Sequence, residues 1–198
     1  DYADAIFKYG SDKPDLRIPL ELLEISDEAK NEEFKVFSDP AKNDGSRVVA
    51  LKVEEGNKLT RSQIDDYTNF VGKLGAKGLA YIKINDVADL DNGLQSPIIK
   101  FLSKDFISAL FTKLNPKNDD LIFFGAGSSD IVNLSMSSLI KKLGKDLDLY
   151  QREWAPCWIT NFPMFENDAG DLKALHHPFT RPKEELKEFK NNPSKSQA

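Results

Sequence analysis

One cysteine, Cys157, is all the chain has. An internal disulfide framework is excluded, and a lone thiol fits a reducing compartment. Histidine is almost as scarce: the only two, His176 and His177, are adjacent. Neighbours on a strand point to opposite faces, so this pair cannot ligate one ion from one face, and no metal site is expected. No stretch approaches the ~20 uninterrupted apolar residues of a membrane-spanning helix, and Asp1-Tyr2-Ala3-Asp4-Ala5 is no signal peptide. Positive charge is in deficit. A formal net charge of −5 argues against a chain whose main task is to coat nucleic acid, although an acidic average can hide a basic stripe. Internal repeats and low-complexity tracts are also missing. The chain does not begin with Met and opens inside an apparent helix, which reads as a piece of a longer polypeptide.

What is present suffices for a core: 13 phenylalanines in 198 residues, enough for one large domain or a domain with part of another. Tyr2, Ala5, Ile6 and Tyr9 have helical spacing, with Gly10 as C-cap. Residues 11–17, with Pro14 and several acids, read as a structured loop. Residues 47–53 form a strand with apolar side chains on both faces, hence a central one. Thr60 and Gln63 form a capping box for a helix with Ile64, Tyr67, Val71 and Leu74 in one stripe, stopping at Gly75. A second strand spans residues 78–84. Ser103 caps a helix burying Phe106, Ile107, Leu110, Phe111 and Leu114 and ending at Asn115-Pro116. Residues 121–124 are a third strand. Residues 130–143 are a third helix, with Ile131, Leu134, Ser138, Leu139 and Leu143 facing inward. The alternation predicts an α+β fold, a mixed sheet covered by helices.

Phe124-Gly125-Ala126-Gly127-Ser128-Ser129-Asp130 mimics a strand, phosphate-binding loop and helix. Asp130 stands where such a loop has its third glycine, and its charge would oppose a phosphate. The segment is read as a turn, with Asp130 capping the helix alongside Ser128 or Ser129.

Residues 158–180 read as a strand (Trp158, Ile159, Phe162, Met164, Phe165), a reversal at Asn167-Asp168-Ala169-Gly170-Asp171, and a returning strand ending in His176-His177-Pro178. Pro178 biases His177 toward an extended backbone and so constrains the aim of His176. Such a histidine is in the first instance a hydrogen-bonded, partly buried residue. Cut off from further strands, residues 158–165 should be poorly ordered or pair with the N-terminal segment or another copy. Residues 183–190 alternate Lys and Glu as a solvated helix or tail, and residues 191–198 should break off without completing a fold.

Lys8-Tyr9-Gly10-Ser11-Asp12-Lys13-Pro14-Asp15-Leu16-Arg17, Asn161-Phe162-Pro163-Met164-Phe165-Glu166 and His176-His177-Pro178-Phe179-Thr180 together resemble the class II aspartyl-tRNA synthetases of bacterial type. Leu59-Thr60-Arg61-Ser62-Gln63-Ile64-Asp65 and Gly75-Ala76-Lys77-Gly78-Leu79-Ala80-Tyr81-Ile82-Lys83 resemble the GAD domain inserted in that family. Cys157 and Asn161 depart from many members. The resemblance implies an edge of the catalytic domain at residues 1–18, a GAD-type insertion domain at 19–150, and a returning catalytic hairpin and tail at 151–198.

The parent enzyme would activate aspartate with ATP and magnesium, then transfer it to tRNA(Asp), as a cytoplasmic homodimer. The family's aspartate-pocket histidine falls on His176, with His177 behind it as a packing or supporting residue. The arginine motifs that grip ATP are not among these residues. No catalytic residue is therefore assigned, no cofactor is expected to bind, and the segment alone is expected to form no adenylate. The alternative is a non-catalytic module that positions tRNA or a partner, as in GAD domains of tRNA-dependent amidotransferases. Lys141, Lys142 and Lys145 would make its contact, against the acids Asp130, Asp146 and Asp148.

Overall fold

Residues 46–53 alternate side chains between two apolar layers, and the architecture follows from that. The structure, a computed structural model, describes residues 1–168 and 170–198. Strand β2 (Ser46–Val53) lies between β1 (Leu22–Glu24) and β5 (Leu121–Ser128). The sheet continues through β3 (Ala80–Ile84) to β4 (Leu94–Gln95), in the order β1-β2-β5-β3-β4. Val49, Leu51, Val53, Leu121 and Phe123 face one way. They meet Ile64, Tyr67 and Val71 of α4 (Arg61–Gly72), and Val132, Met136, Leu139 and Leu143 of α6 (Ser129–Asp146). Val48, Ala50, Ile82, Ile84, Ile122 and Phe124 face the other way. Against them lie Ala29 of α2 (Ser26–Ala29), Phe37 and Ala41 of α3 (Lys35–Lys42), and Phe106, Ile107 and Leu110 of α5 (Lys104–Leu114). A strand buried on both faces has no room for polar alternation, which is why residues 47–53 read as central.

The α+β class is as expected, but every paired set of neighbours in the sheet is antiparallel rather than mixed. β2 and β3 do run parallel, joined through α4, yet β5 inserts between them and pairs antiparallel with both. A strand–helix–strand alternation cannot reveal that a later strand splits the unit.

The local signals are observed where they were read. Thr60 and Gln63 complete the capping box, and Ser103 accepts from the Phe106 amide. Gly10 ends α1 (Tyr2–Tyr9) in the left-handed conformation. Helix α4 stops at Gly72, and Leu74 lies beyond it, half-buried. β1, α2, α3 and β4 carry no sequence pattern long enough to announce them. α3 even contains Pro40.

Two expectations are corrected. Gly125 and Gly127 are not a turn: β5 runs through them to Ser128, paired with Val49 and Arg47 of β2, and passes directly into α6. Gly125 lets the helix approach, since a Cβ there would lie 2.7 Å from Cγ of Met136. Ser128 stands at the cap position without a side-chain bond, and Asp130 occupies the first turn. In α6 the buried stripe is Val132, Ser135, Met136, Leu139, Ile140, Leu143 and Gly144, while Ile131 and Leu134 are exposed.

The chain's other sheet is the pair β6 (Phe165–Asp168) and β7 (Asp171–Ala174), antiparallel with Phe165 opposite Ala174. Ala169, at the centre of the expected reversal, lies outside the described residues. Residues 158–164 are not a strand of the pleat, and Trp158 is 92% exposed. Residues 162–164 instead lie along the last residues of the chain. The Met164 amide donates to the Ser196 carbonyl (2.8 Å), and the Ala198 amide donates to that of Phe162 (2.7 Å). Ser196 is buried, so residues 191–198 close this part of the fold rather than breaking off. Helix α7 (Leu186–Asn191) buries no residue. Among the described residues no helix is long and apolar enough to cross a membrane.

Candidate histidine wall

Leu175 extends the β6–β7 ladder by donating its amide to the Met164 carbonyl (3.0 Å), and this places His176 beside Pro163. The imidazole is half-buried, with Nε2 3.2 Å from the Pro163 carbonyl oxygen. A carbonyl only accepts, so Nε2 carries the hydrogen, and Nδ1 is the nitrogen left for a ligand. The ring stands edge-on to Phe162, with centroids 4.9 Å apart and planes at 75°. Phe162 in turn lies 4.6 Å from the ring of Tyr2.

Tyr2 opens α1, and its amide donates to the Thr160 carbonyl (2.9 Å), joining the N-terminal helix to this wall. Its phenol is held above the usual tyrosine range, first by burial and then by the Asp12 and Glu166 carboxylates. Asn161 adopts a left-handed backbone, φ 55°, which Asn tolerates better than most residues. Its amide group donates to the Asp1 carboxylate and its oxygen accepts from Lys183 Nζ, both at 2.7 Å. Three separate chain segments meet at this one side chain. Beneath them, Glu184 accepts from the Ser196 hydroxyl (2.6 Å), the first cause holding its carboxyl below the usual range.

His177 stands apart. It is exposed, its Nδ1 accepts from the Phe179 amide (3.3 Å), and its ring contacts that of Phe179. The returning strand was expected to reach the histidine pair, but β7 ends at Ala174 and the pair lies in a bend beyond it: one ring faces Phe162 and Pro163, the other a local turn. The roles of Tyr2, Asn161 and Phe162 carried no signal in the sequence, because each depends on a neighbour brought from another segment.

Lys142 is committed within the fold. It pairs with Asp146 (2.9 Å) and lies over the rings of Tyr67 and Phe70. Lys141 and Lys145 are exposed on the same helix. A surface groove of about 860 Å³ is lined by Asp27, Glu28, Phe34, Phe101 and Asp105 among others, with no histidine in its lining. It is an open surface groove: Asp27 is paired with Lys30 and Glu28 with Lys113. The chemistry-bearing wall at His176 is the better candidate, since a defined ring nitrogen is presented there.

Comparison with protein families matches the GAD domain over residues 37–136, just over half of the 198 residues. The matched span runs from α3 into the middle of α6. GAD domains occur in class II aspartyl/lysyl-tRNA synthetases and in GatB-type proteins.

Proposed function

The chain belongs to the GAD domain family, and on that premise we propose that it is a segment of an aspartate–tRNA ligase. In this reading residues 19–150 are the GAD-type insertion, and residues 1–18 and 151–198 are edges of the catalytic domain. The parent enzyme activates aspartate with ATP and magnesium and transfers it to tRNA(Asp), acting as a cytoplasmic homodimer. The role of His176 is to bind the carboxylate of aspartate.

The observation that supports this role is the hydrogen bond from Nε2 to the Pro163 carbonyl. It leaves Nδ1 as the ring nitrogen available to a ligand. A neutral imidazole presents a lone pair there, which repels a carboxylate, whereas the protonated ring donates an ionic hydrogen bond. The role proposed for Nδ1 is that ionic hydrogen bond to the aspartate carboxylate. Phe162 holds the ring plane so that orientation is not lost on binding. Lys183 beside this wall is bonded to Asn161. No step involving ATP or magnesium is assigned to the wall.

Two-dimensional NMR of the histidine side chains, with L-aspartate added, tests the reading. His176 should move with aspartate, while His177 stays still. Equal response to L-asparagine, or none to aspartate, refutes the assignment.

The exposed pair Lys141 and Lys145 favours a second reading, a non-catalytic module that positions tRNA. A salt-dependent gel shift of tRNA(Asp) with the 198-residue chain, lost in Lys141→Glu/Lys145→Glu, would support it, and no shift at low salt removes it.

A further inference from the structure

Helix α1 has eight residues, so its ends stand about 12 Å apart at the α-helical rise. Each end meets a different part of the molecule. At the C-terminal end is Arg47, the second residue of β2, buried beneath the helix. Nη2 donates to the Phe7 carbonyl (2.9 Å), and Nη1 donates to the Ile6 carbonyl (3.3 Å) and to Oδ1 of Asn133 on α6 (2.7 Å). Nε donates to Glu24 of β1 (2.9 Å). The guanidinium also lies 5.4 Å from the centre of the Phe7 ring. Carbonyls in the last turn of a helix lack partners within it, and a cation there also complements the helix dipole. One planar group thus ties α1 to β1, β2 and α6 together. Lysine could not copy this, because its ammonium lacks the rigid fork of donors.

At the N-terminal end stands Tyr2, bonded to Thr160 and packed at a tilt against Phe162, which in turn packs edge-on against His176. We infer that Arg47 is a positioning residue for His176: its guanidinium fixes α1, α1 fixes the Tyr2–Phe162 pair, and that pair sets the plane of the imidazole. The arrangement is stiff at every step. Gly10 lies against the backbone of Asn133. The Tyr9 hydroxyl donates to Glu21 (2.9 Å), and the Gln151 amide donates to the Arg17 carbonyl (2.9 Å). Close packing transmits a displacement rather than absorbing it. The insert therefore orients the wall that carries His176, and the functional meaning of that orientation rests on the carboxylate role proposed above.

The test uses the 198-residue chain and its two histidines, each visible by NMR, with His177 as internal control. Arg47→Met should move the His176 ring resonances toward their positions in Tyr2→Ala, where the contact with Phe162 is released directly. Tyr2→Phe, which keeps the ring, should restore the wild-type position. Arg47→Lys should give an intermediate shift. His177, packed on Phe179, should not move in any of them. If folded Arg47→Met leaves His176 unmoved, the inference is overturned. Should Arg47→Met fail to fold, Asn133→Ala, which takes one acceptor from Nη1, decides in its place: movement of His176 alone supports the inference, and no movement overturns it. A His176 that shifts with Arg47 but never responds to L-aspartate would refute the carboxylate role and leave the positioning intact.

Discussion

Gly10 lies so close to Asn133 that a Cβ added to it would stand 2.7 Å from the Asn133 carbonyl oxygen. Gly10 also has φ 64°, in the left-handed region. Both features follow from one need, to end α1 and turn the chain while the helix rests on α6. Gly10→Ala should destabilise the chain by about 1–3 kcal/mol, since backbone cannot yield as a flexible side chain can. Gly45→Ala is the control: its φ of 77° imposes strain, but nothing lies within 4 Å of the added methyl. Thermal or urea unfolding should rank Gly10→Ala as clearly the more damaging of the two.

Thr60 is expected to hold the start of α4 on which Ile64, Tyr67 and Val71 are carried into the core. Its hydroxyl accepts from the Gln63 amide (3.3 Å), and Gln63 reaches back to the Thr60 amide (2.9 Å). Thr60→Ala should cost about 0.5–2 kcal/mol in a urea titration. Thr60→Ser should recover most of it, because the acceptor oxygen is kept.

Alkaline pH should unfold the chain through two tyrosines. Tyr67 is pushed up to about 12, first by burial and then by the Asp146 carboxylate. Tyr9 is also pushed up to about 12, by burial and then by its hydrogen bond to Glu21. In both the folded state favours the neutral phenol. Their contribution to stability is whole below the ordinary tyrosine value near 10 and is lost as pH rises from there through about 12. Phenolate absorbance should lag behind that of the denatured chain, and Tyr67→Phe should reduce the loss of stability between pH 10 and 12.

Residues 1–198 expressed alone should give no ATP–pyrophosphate exchange with aspartate above background. The charge that develops on a transferring phosphate needs cations aimed at it, and the arginine motifs expected to supply them are not among residues 1–198. Exchange above background, abolished by His176→Ala, would overturn this expectation.

Features closed within a few residues were legible in the sequence. The Thr60–Gln63 box, the Ser103 cap and the Gly10 terminus each depend on hydrogen bonds spanning three or four positions. The central character of β2 was legible because double-sided burial leaves a continuous apolar run. The inward stripe of α6 was not. Periodicity allows Ile131–Leu134 or Val132–Met136 to face the sheet, and the choice falls to Gly125, where the missing side chain admits Met136. Gly125 and Gly127 read as a turn for a related reason. Glycines signal a bend locally, yet pairing with Val49 and Arg47 of β2 keeps them in a strand.

The histidine wall shows the same division. A strand carrying both histidines would have separated them by alternation, but β7 stops at Ala174, and the pair diverges in the bend that follows. That Nε2 would meet the Pro163 carbonyl, and that Phe162 and Tyr2 would brace the ring, required segments from opposite ends to come together. Arg47 is the extreme case, with partners 23, 40, 41 and 86 positions away. Sequence alone determined β2, α4, α5, the caps of those helices and the GAD domain family. Tertiary structure decided strand direction, helix face and the aim of His176, because those depend on contacts between residues distant in the chain, which local propensity does not encode.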